Sequence, residues 1–236
     1  MAKRKQKEKI EAKVIGKVEW FDDRFYKIQK LGAEVVYYPS VTTILGVAPK
    51  PYLNRWRGEI GNREADQRIR EAQERGNKVH HACAVLLKGG VVGYKILKDD
   101  LDLVLDHRPI EKVLLNDQTE MAMAHRFVNL AAELNFETIL TDQTIFSDKY
   151  KFAGSLDFLA KIPKTNYNKI DFKAGLYICD IKTGSSSKEH LMQVAAYSVA
   201  YSELYQTKIT GAIVIYLNAK NKTGIKLEVL KSDAIK

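Results

Sequence analysis

Cysteine is scarce in this chain of 236 residues, which contains only Cys83 and Cys179. Two thiols so far apart in sequence predict neither a disulfide framework nor a structural zinc site. They also fall short of the four cysteine ligands that hold a typical iron–sulfur cluster. We therefore expect no iron–sulfur cluster in this protein.

Long apolar runs are missing as well. No stretch reaches the roughly 18 consecutive apolar residues of a transmembrane helix, so we predict no membrane partner. Residues 1–13, MAKRKQKEKIEAK, lack the apolar segment of a secretory signal. We expect an intracellular location, in the cytoplasm of a bacterium or a phage-infected host rather than in an organelle. Residues 1–13 are predicted to form a flexible basic tail, and 14–236 one domain.

Acidic residues are fewer than basic ones, 29 against 38, which leaves a formal net charge of +9. This excess favours a polyanionic partner, nucleic acid first, although many basic proteins bind none. The 45% of hydrophobic residues is enough for a sizeable core and argues against a disordered chain.

The patterning predicts an α/β fold, with a mixed central sheet of about four or five strands flanked by helices. A small β-meander is predicted over 14–38, where apolar residues alternate weakly. The longest helical pattern covers 61–88 and ends at a pair of glycines. A second helical region is predicted from about 111 to 134, and Ser186 is predicted to cap a helix beyond the central strands.

Two carboxylates stand out at the centre of the sequence. The run 152–162, FAGSLDFLAKI, alternates as a strand, with Gly154, Leu156 and Phe158 on one face and Asp157 on the other. The run 176–182 is a second apolar strand in which Asp180 and Lys182 share a face. Carboxylates between large apolar residues are costly to bury unless they are paired or bind a cation. The alternative is that both are simple strand-end caps.

Six segments in order resemble one family of enzymes. G-x-x-D ends at Asp157, D-x-K-T begins at Asp180, and Q-x-x-x-Y joins Gln193 to Tyr197 on a helix. Upstream stand YPSVTTIL at 38–45, LNRW at 53–56 and RGNKVHHA at 75–82. This set resembles the RecB-like branch of the PD-(D/E)XK nuclease superfamily, whose core is restriction-endonuclease-like. The order of the motifs is similar to that of the mitochondrial genome maintenance exonuclease group and its phage and bacterial relatives.

The resemblance implies a site for Mg²⁺ or Mn²⁺ formed by His80, Asp157, Asp180 and the carbonyl of Ile181. Lys182 would act with the two aspartates in catalysis. Gln193 and Tyr197 would brace the lysine and the substrate backbone, and Ser40, Thr42, Arg55 and Trp56 are further candidates for substrate binding. Asp142 stands where relatives place a glutamate, so it is either a second acidic group of the site or a surface carboxylate.

The implied activity is metal-dependent hydrolysis of DNA phosphodiester bonds. We expect an exonuclease for single-stranded DNA or DNA ends, acting in replication, recombination or repair, with a helicase or a recombinase as a possible partner. A structure- or site-specific endonuclease and a non-catalytic DNA-binding recombination or packaging factor are the alternatives. Ser40 has a second interpretation as a helix N-cap, and Trp56 as a packing anchor.

Overall fold

The computed structural model describes residues 12–21, 23–94, 104–105, 108–109, 111–115 and 117–235. The first element in this part of the chain is an antiparallel meander. Its strands are β1 (Ala12–Trp20), β2 (Asp23–Lys30) and β3 (Val36–Pro39), paired in that order. The meander predicted over 14–38 is therefore confirmed. Most of the predicted tail lies outside the described residues, and its last two residues, 12 and 13, belong to strand β1.

Three helices follow the meander: α1 (Val41–Gly46), α2 (Pro51–Ile60) and α3 (Asn62–Leu87). The long helix α3 matches the pattern seen over 61–88. It is charged and exposed in its first half, and its second half is buried through Val79, Cys83 and Val85. This change in polarity lets one end of α3 pack on the core while the other end faces solvent.

The region predicted to be helical from 111 begins instead with a strand. Two parallel strands, β4 (Val91–Tyr94) and β7 (Lys112–Leu115), flank the short pair β5 (Val104–Leu105) and β6 (Arg108–Pro109). Helix α4 (Gln118–Leu134) starts after Asp117, whose carboxylate accepts hydrogen bonds from the backbone of Thr119 and Glu120. This N-cap fixes the start of α4 and leaves Lys112–Leu115 free to extend.

The central sheet has five strands in the order β14-β13-β12-β9-β8. Only β12 and β13 run parallel, so the sheet is mixed, as predicted. Its strands are β8 (Glu137–Ser147), β9 (Phe152–Ile162), β12 (Gly175–Lys182), β13 (Gly211–Tyr216) and β14 (Lys226–Lys231). Between β9 and β12 the chain forms a hairpin of β10 (Thr165–Tyr167) and β11 (Ile170–Phe172). Helix α5 (Lys188–Tyr205) connects β12 to β13, and a 3₁₀ turn (Ser232–Ala234) follows β14.

Helices cover both faces of this sheet. Val194 and Tyr197 of α5 pack with Ile178 on one face, and Phe127 of α4 packs with Phe158 on the other. Helix α5 is capped by Ser187, whose hydroxyl accepts from the backbone of Glu189, so the cap lies one residue after the predicted Ser186. None of the described helices is long and apolar enough to cross a membrane.

Candidate active site

The regular alternation of side chains between the two faces of strand β9 is interrupted at Asp157. Leu156 packs in the cluster beneath α5, whereas Phe158 packs in the cluster beneath α4. The predicted single face shared by Leu156 and Phe158 is therefore wrong, because strict alternation is interrupted between them. On the neighbouring strand β8, Asp142 lies opposite Asp157 and has a left-handed φ of 54°. The left-handed residue in β8 thus lies beside the position at which the side chains of β9 stop alternating, and Asp157 occupies that position.

The strands β9 and β12 also separate close to Asp157. Their ladder ends at the pair Cys179 and Phe158. One step further, the backbone N–H of Ile181 donates to Oδ2 of Asp157 at 2.6 Å. A side-chain carboxylate thus replaces the strand backbone as the acceptor. We call this opening the fork; it is formed by Asp157 on one strand and by Asp180 and Ile181 on the other.

Asp180 is the most deeply buried charged group at the fork, with 1% of its surface exposed. Its Oδ2 lies 2.7 Å from Nζ of Lys182, yet it has no partner with hydrogen-bond geometry. The ammonium of Lys182 donates instead to Oε1 of Gln193 at 3.1 Å. Asp180 and Lys182 share a face of β12, as their spacing predicts. One oxygen of a buried carboxylate is therefore left with charge compensation alone.

A buried chain of polar groups supports the lysine. Nε2 of Gln193 donates to the hydroxyl of Tyr197 at 2.9 Å, and both residues are buried on α5. Tyr197 can occupy its position because Gly154 has no side chain: a Cβ there would lie 2.4 Å from Cε1 of the ring. The residues of the G-x-x-D and Q-x-x-x-Y patterns thus meet, and together they hold the Lys182 ammonium at the fork.

His80 reaches the fork from the other face of the sheet. Its Nδ1 lies 3.2 Å from Oδ2 of Asp157. The neighbouring Val79 and Cys83 are buried in the core, which orients this turn of α3. Gly76 lies one turn earlier, where an added Cβ would meet the hydroxyl of Thr183 at 3.4 Å. The next residue, His81, is exposed, as expected for a position about 100° around the helix.

Burial and neighbouring charges shift the pKa values of the ionisable groups at the fork. Burial, opposed by Lys182 and reinforced by the charge of Asp157, raises the pKa of Asp180 to about 6. Burial also acts to raise the pKa of Asp157, but His80, Lys182 and the Ile181 N–H outweigh it, so that pKa is lowered. Burial acts to lower the pKa of His80, and the nearby carboxylates outweigh it, so that pKa is raised. Of the two carboxylates, Asp180 is therefore the one whose ionised form the surrounding protein stabilises least.

The donor set of the fork fits a hard divalent cation. Carboxylate and carbonyl oxygens are the ligands that Mg²⁺ prefers, and an imidazole is acceptable to Mn²⁺. The unbonded oxygen of Asp180 is the structural observation that favours such an ion. Across the described parts of the chain, no three His, Cys, Asp or Glu side chains already converge as a complete metal site. His80 and Lys182 instead contact the carboxylates at which a cation would bind.

Ser40 is a helix cap. Its side chain is 2% exposed, and its hydroxyl accepts from the backbone N–H of Thr43 at 2.9 Å. The N-cap interpretation is thus confirmed, and a hydroxyl buried in this way is not presented to a phosphate. Thr42, by contrast, is exposed and lines a cleft of about 550 Å³. Arg55 is exposed and Trp56 half-buried on α2, which packs against α3.

Asp142 lies at the mouth of the site. Its exposed carboxylate is 3.2 Å from the ammonium of Lys88, and it lines a cleft of about 770 Å³ together with His80. Arg24 and Gln73 line the same cleft, and no sequence pattern had indicated either of them. They come from β2 and α3, which are remote in sequence, so only the tertiary structure brings them to one cleft.

No protein-family model matches this chain, and no curated protein matches it either. The functional argument therefore depends on the residues of the fork and on the chemistry that they can support.

Proposed function

We propose that this protein is a metal-dependent deoxyribonuclease that hydrolyses phosphodiester bonds, acting as an exonuclease on single-stranded DNA or DNA ends. The observation that carries the proposal is the fork. Where two strands separate, the carboxylate of Asp157 on one strand accepts from the backbone of the other, Asp180 on that other strand has an unbonded buried oxygen, and Lys182 lies beside it. A simple strand-end cap would need neither the second carboxylate nor the buried amide that holds the lysine.

Asp157, Asp180, the Ile181 carbonyl and His80 would hold Mg²⁺ or Mn²⁺. A divalent cation bound there would lower the pKa of a water molecule and polarise the scissile phosphate. The Lys182 ammonium would orient the attacking water and neutralise charge that develops on the phosphate. Because Gln193 holds this ammonium as well, its position does not depend on Asp180 alone.

Replacement of Lys182 by Ala is expected to reduce cleavage by at least about 100-fold, since it removes one group that stabilises the transition state. Binding of DNA in EDTA should stay near the wild-type level. Cleavage would be measured with end-labelled single strands, duplexes and closed circles, in Mg²⁺, in Mn²⁺ and in EDTA. Lys164→Ala, an exposed lysine just before β10, is the matched control and should cleave normally.

Different outcomes separate the candidate functions. Full activity of Lys182→Ala would refute the role of this lysine. Cutting of closed circles would indicate an endonuclease on the same fold. Stable DNA binding by the pure protein, with no cleavage in either metal, would indicate a non-catalytic DNA-binding factor for recombination or packaging.

A further inference from the structure

The turn between β1 and β2 presents two large aromatic side chains to solvent. Trp20 is 69% exposed and Phe21 is 94% exposed, and their ring centroids lie 6.4 Å apart. We call this pair the hairpin tip. Single exposed apolar residues are common, but two adjacent aromatic side chains with so much of their surface in water are not explained by packing among the residues that the structure describes.

The backbone does not favour Phe21 at this position either. Trp20 pairs with Asp23, so the turn has two residues, and Phe21 adopts a left-handed φ of 52°. Two-residue hairpin turns that need a positive φ favour Asn, Asp or Gly, because a bulky side chain is strained there. Neither packing among the described residues nor backbone conformation explains a phenylalanine at this position. This points to a role in contact with another molecule.

The hairpin tip lies beside two adjoining clefts, and the second of them contains His80, whose imidazole contacts Asp157 of the fork. Phe21 lines the cleft of about 550 Å³ together with Thr42, Arg24 and Gln73. Arg24 and Gln73 also line the cleft of about 770 Å³ that contains His80. The two clefts therefore share a wall, and a flexible ligand could extend along it from the ring of Phe21 to the imidazole of His80.

The chemistry of this path fits the bases of a single strand better than its phosphates. Glu19 and Asp23 also line the cleft at the tip, and Glu19 already pairs with the guanidinium of Arg24 at 3.1 Å. These carboxylates disfavour phosphate at the tip. Aromatic rings, by contrast, stack on every base, and the amide of Gln73 offers both a donor and an acceptor to base edges.

We propose that Trp20 and Phe21 form a base-stacking platform for single-stranded nucleic acid that leads to the fork. The link to the fork rests on the proposed nuclease function, whereas the stacking itself does not. The platform adds a preference for unpaired bases, because paired bases in a duplex cannot expose their faces to the rings.

The test is Phe21→Asn. Asparagine tolerates the left-handed φ, so the hairpin should be at least as stable as in the wild type, while the stacking ring is lost. Binding of a labelled oligothymidine, measured by fluorescence anisotropy in EDTA, is expected to weaken about five- to hundredfold. Phe21→Trp should retain binding. Leu31→Ala, which removes another exposed apolar side chain (78%) at the far end of β2, should bind as the wild type does.

The two proposals fail in different ways. If Phe21→Asn binds oligothymidine as well as the wild type, or if it binds weakly only because the protein has lost thermal stability, the platform is refuted whatever the cleavage results. If no variant cleaves DNA but Phe21→Asn still weakens oligothymidine binding, the platform stands and the nuclease proposal fails. Equal loss of binding in Leu31→Ala would also overturn the assignment.

Discussion

Gly154→Ala is the sharpest test of how the candidate site is built. The added Cβ would lie 2.4 Å from Cε1 and 3.0 Å from the hydroxyl of Tyr197, a ring that is itself only 3% exposed. Overpacking of this kind costs about 1–3 kcal/mol. At roughly 2–4 °C per kcal/mol for a chain of this size, the melting temperature should fall by about 2–12 °C. Displacing the ring should also loosen Gln193 and Lys182, so cleavage should fall with stability.

Urea unfolding followed by circular dichroism would give the change in the free energy of unfolding. Gly58→Ala is the matched control, because its Cβ meets nothing within 4 Å in α2 and alanine is the better helix former by about 0.5–1 kcal/mol. In a Tyr197→Ala background, the clash is gone and Gly154→Ala should cost much less. An unchanged stability of Gly154→Ala, or the same cost in both backgrounds, would refute this account of the packing.

Two further predictions concern the turn between β8 and β9. Burial acts to raise the pKa of Asp148, but Lys30, Tyr38 and Lys151 outweigh it and lower that pKa to about 2. The ionised form therefore contributes about 2 kcal/mol above the ordinary pKa near 4, and this is lost as the pH falls towards 2. The gap in unfolding free energy between the wild type and Asp148→Asn should shrink over that range; a constant gap would contradict the assignment. Glu203 accepts hydrogen bonds from the Ser147 hydroxyl and from the backbone of residues 148 and 149, so Glu203→Ala should cost at least about 2 kcal/mol, and thermal melts that match the wild type would exclude this.

Local patterns were sufficient for most of the fold. The glycine stop after α3 and the serine at the start of α1 each depend on neighbouring residues, and the structure agrees with them. The prediction failed at Lys112–Leu115, because this segment extends by pairing with β4. That partner lies about twenty residues away, and no helical or strand period within the segment itself reveals it.

For the candidate site, too, local spacing was enough for some features, and others depend on tertiary structure. The sequence by itself determined that Asp180 and Lys182 share a face and that Gln193 and Tyr197 lie one turn apart, because both follow from the fixed periods of a strand and a helix. Only the tertiary structure decided that Asp157 stands at an interruption of its strand, that Gly154 makes room for Tyr197, and that Arg24 of the meander lines one cleft with residues of α3. These arrangements depend on where strands separate and how elements pack, and such long-range geometry is not contained in any local spacing of residues.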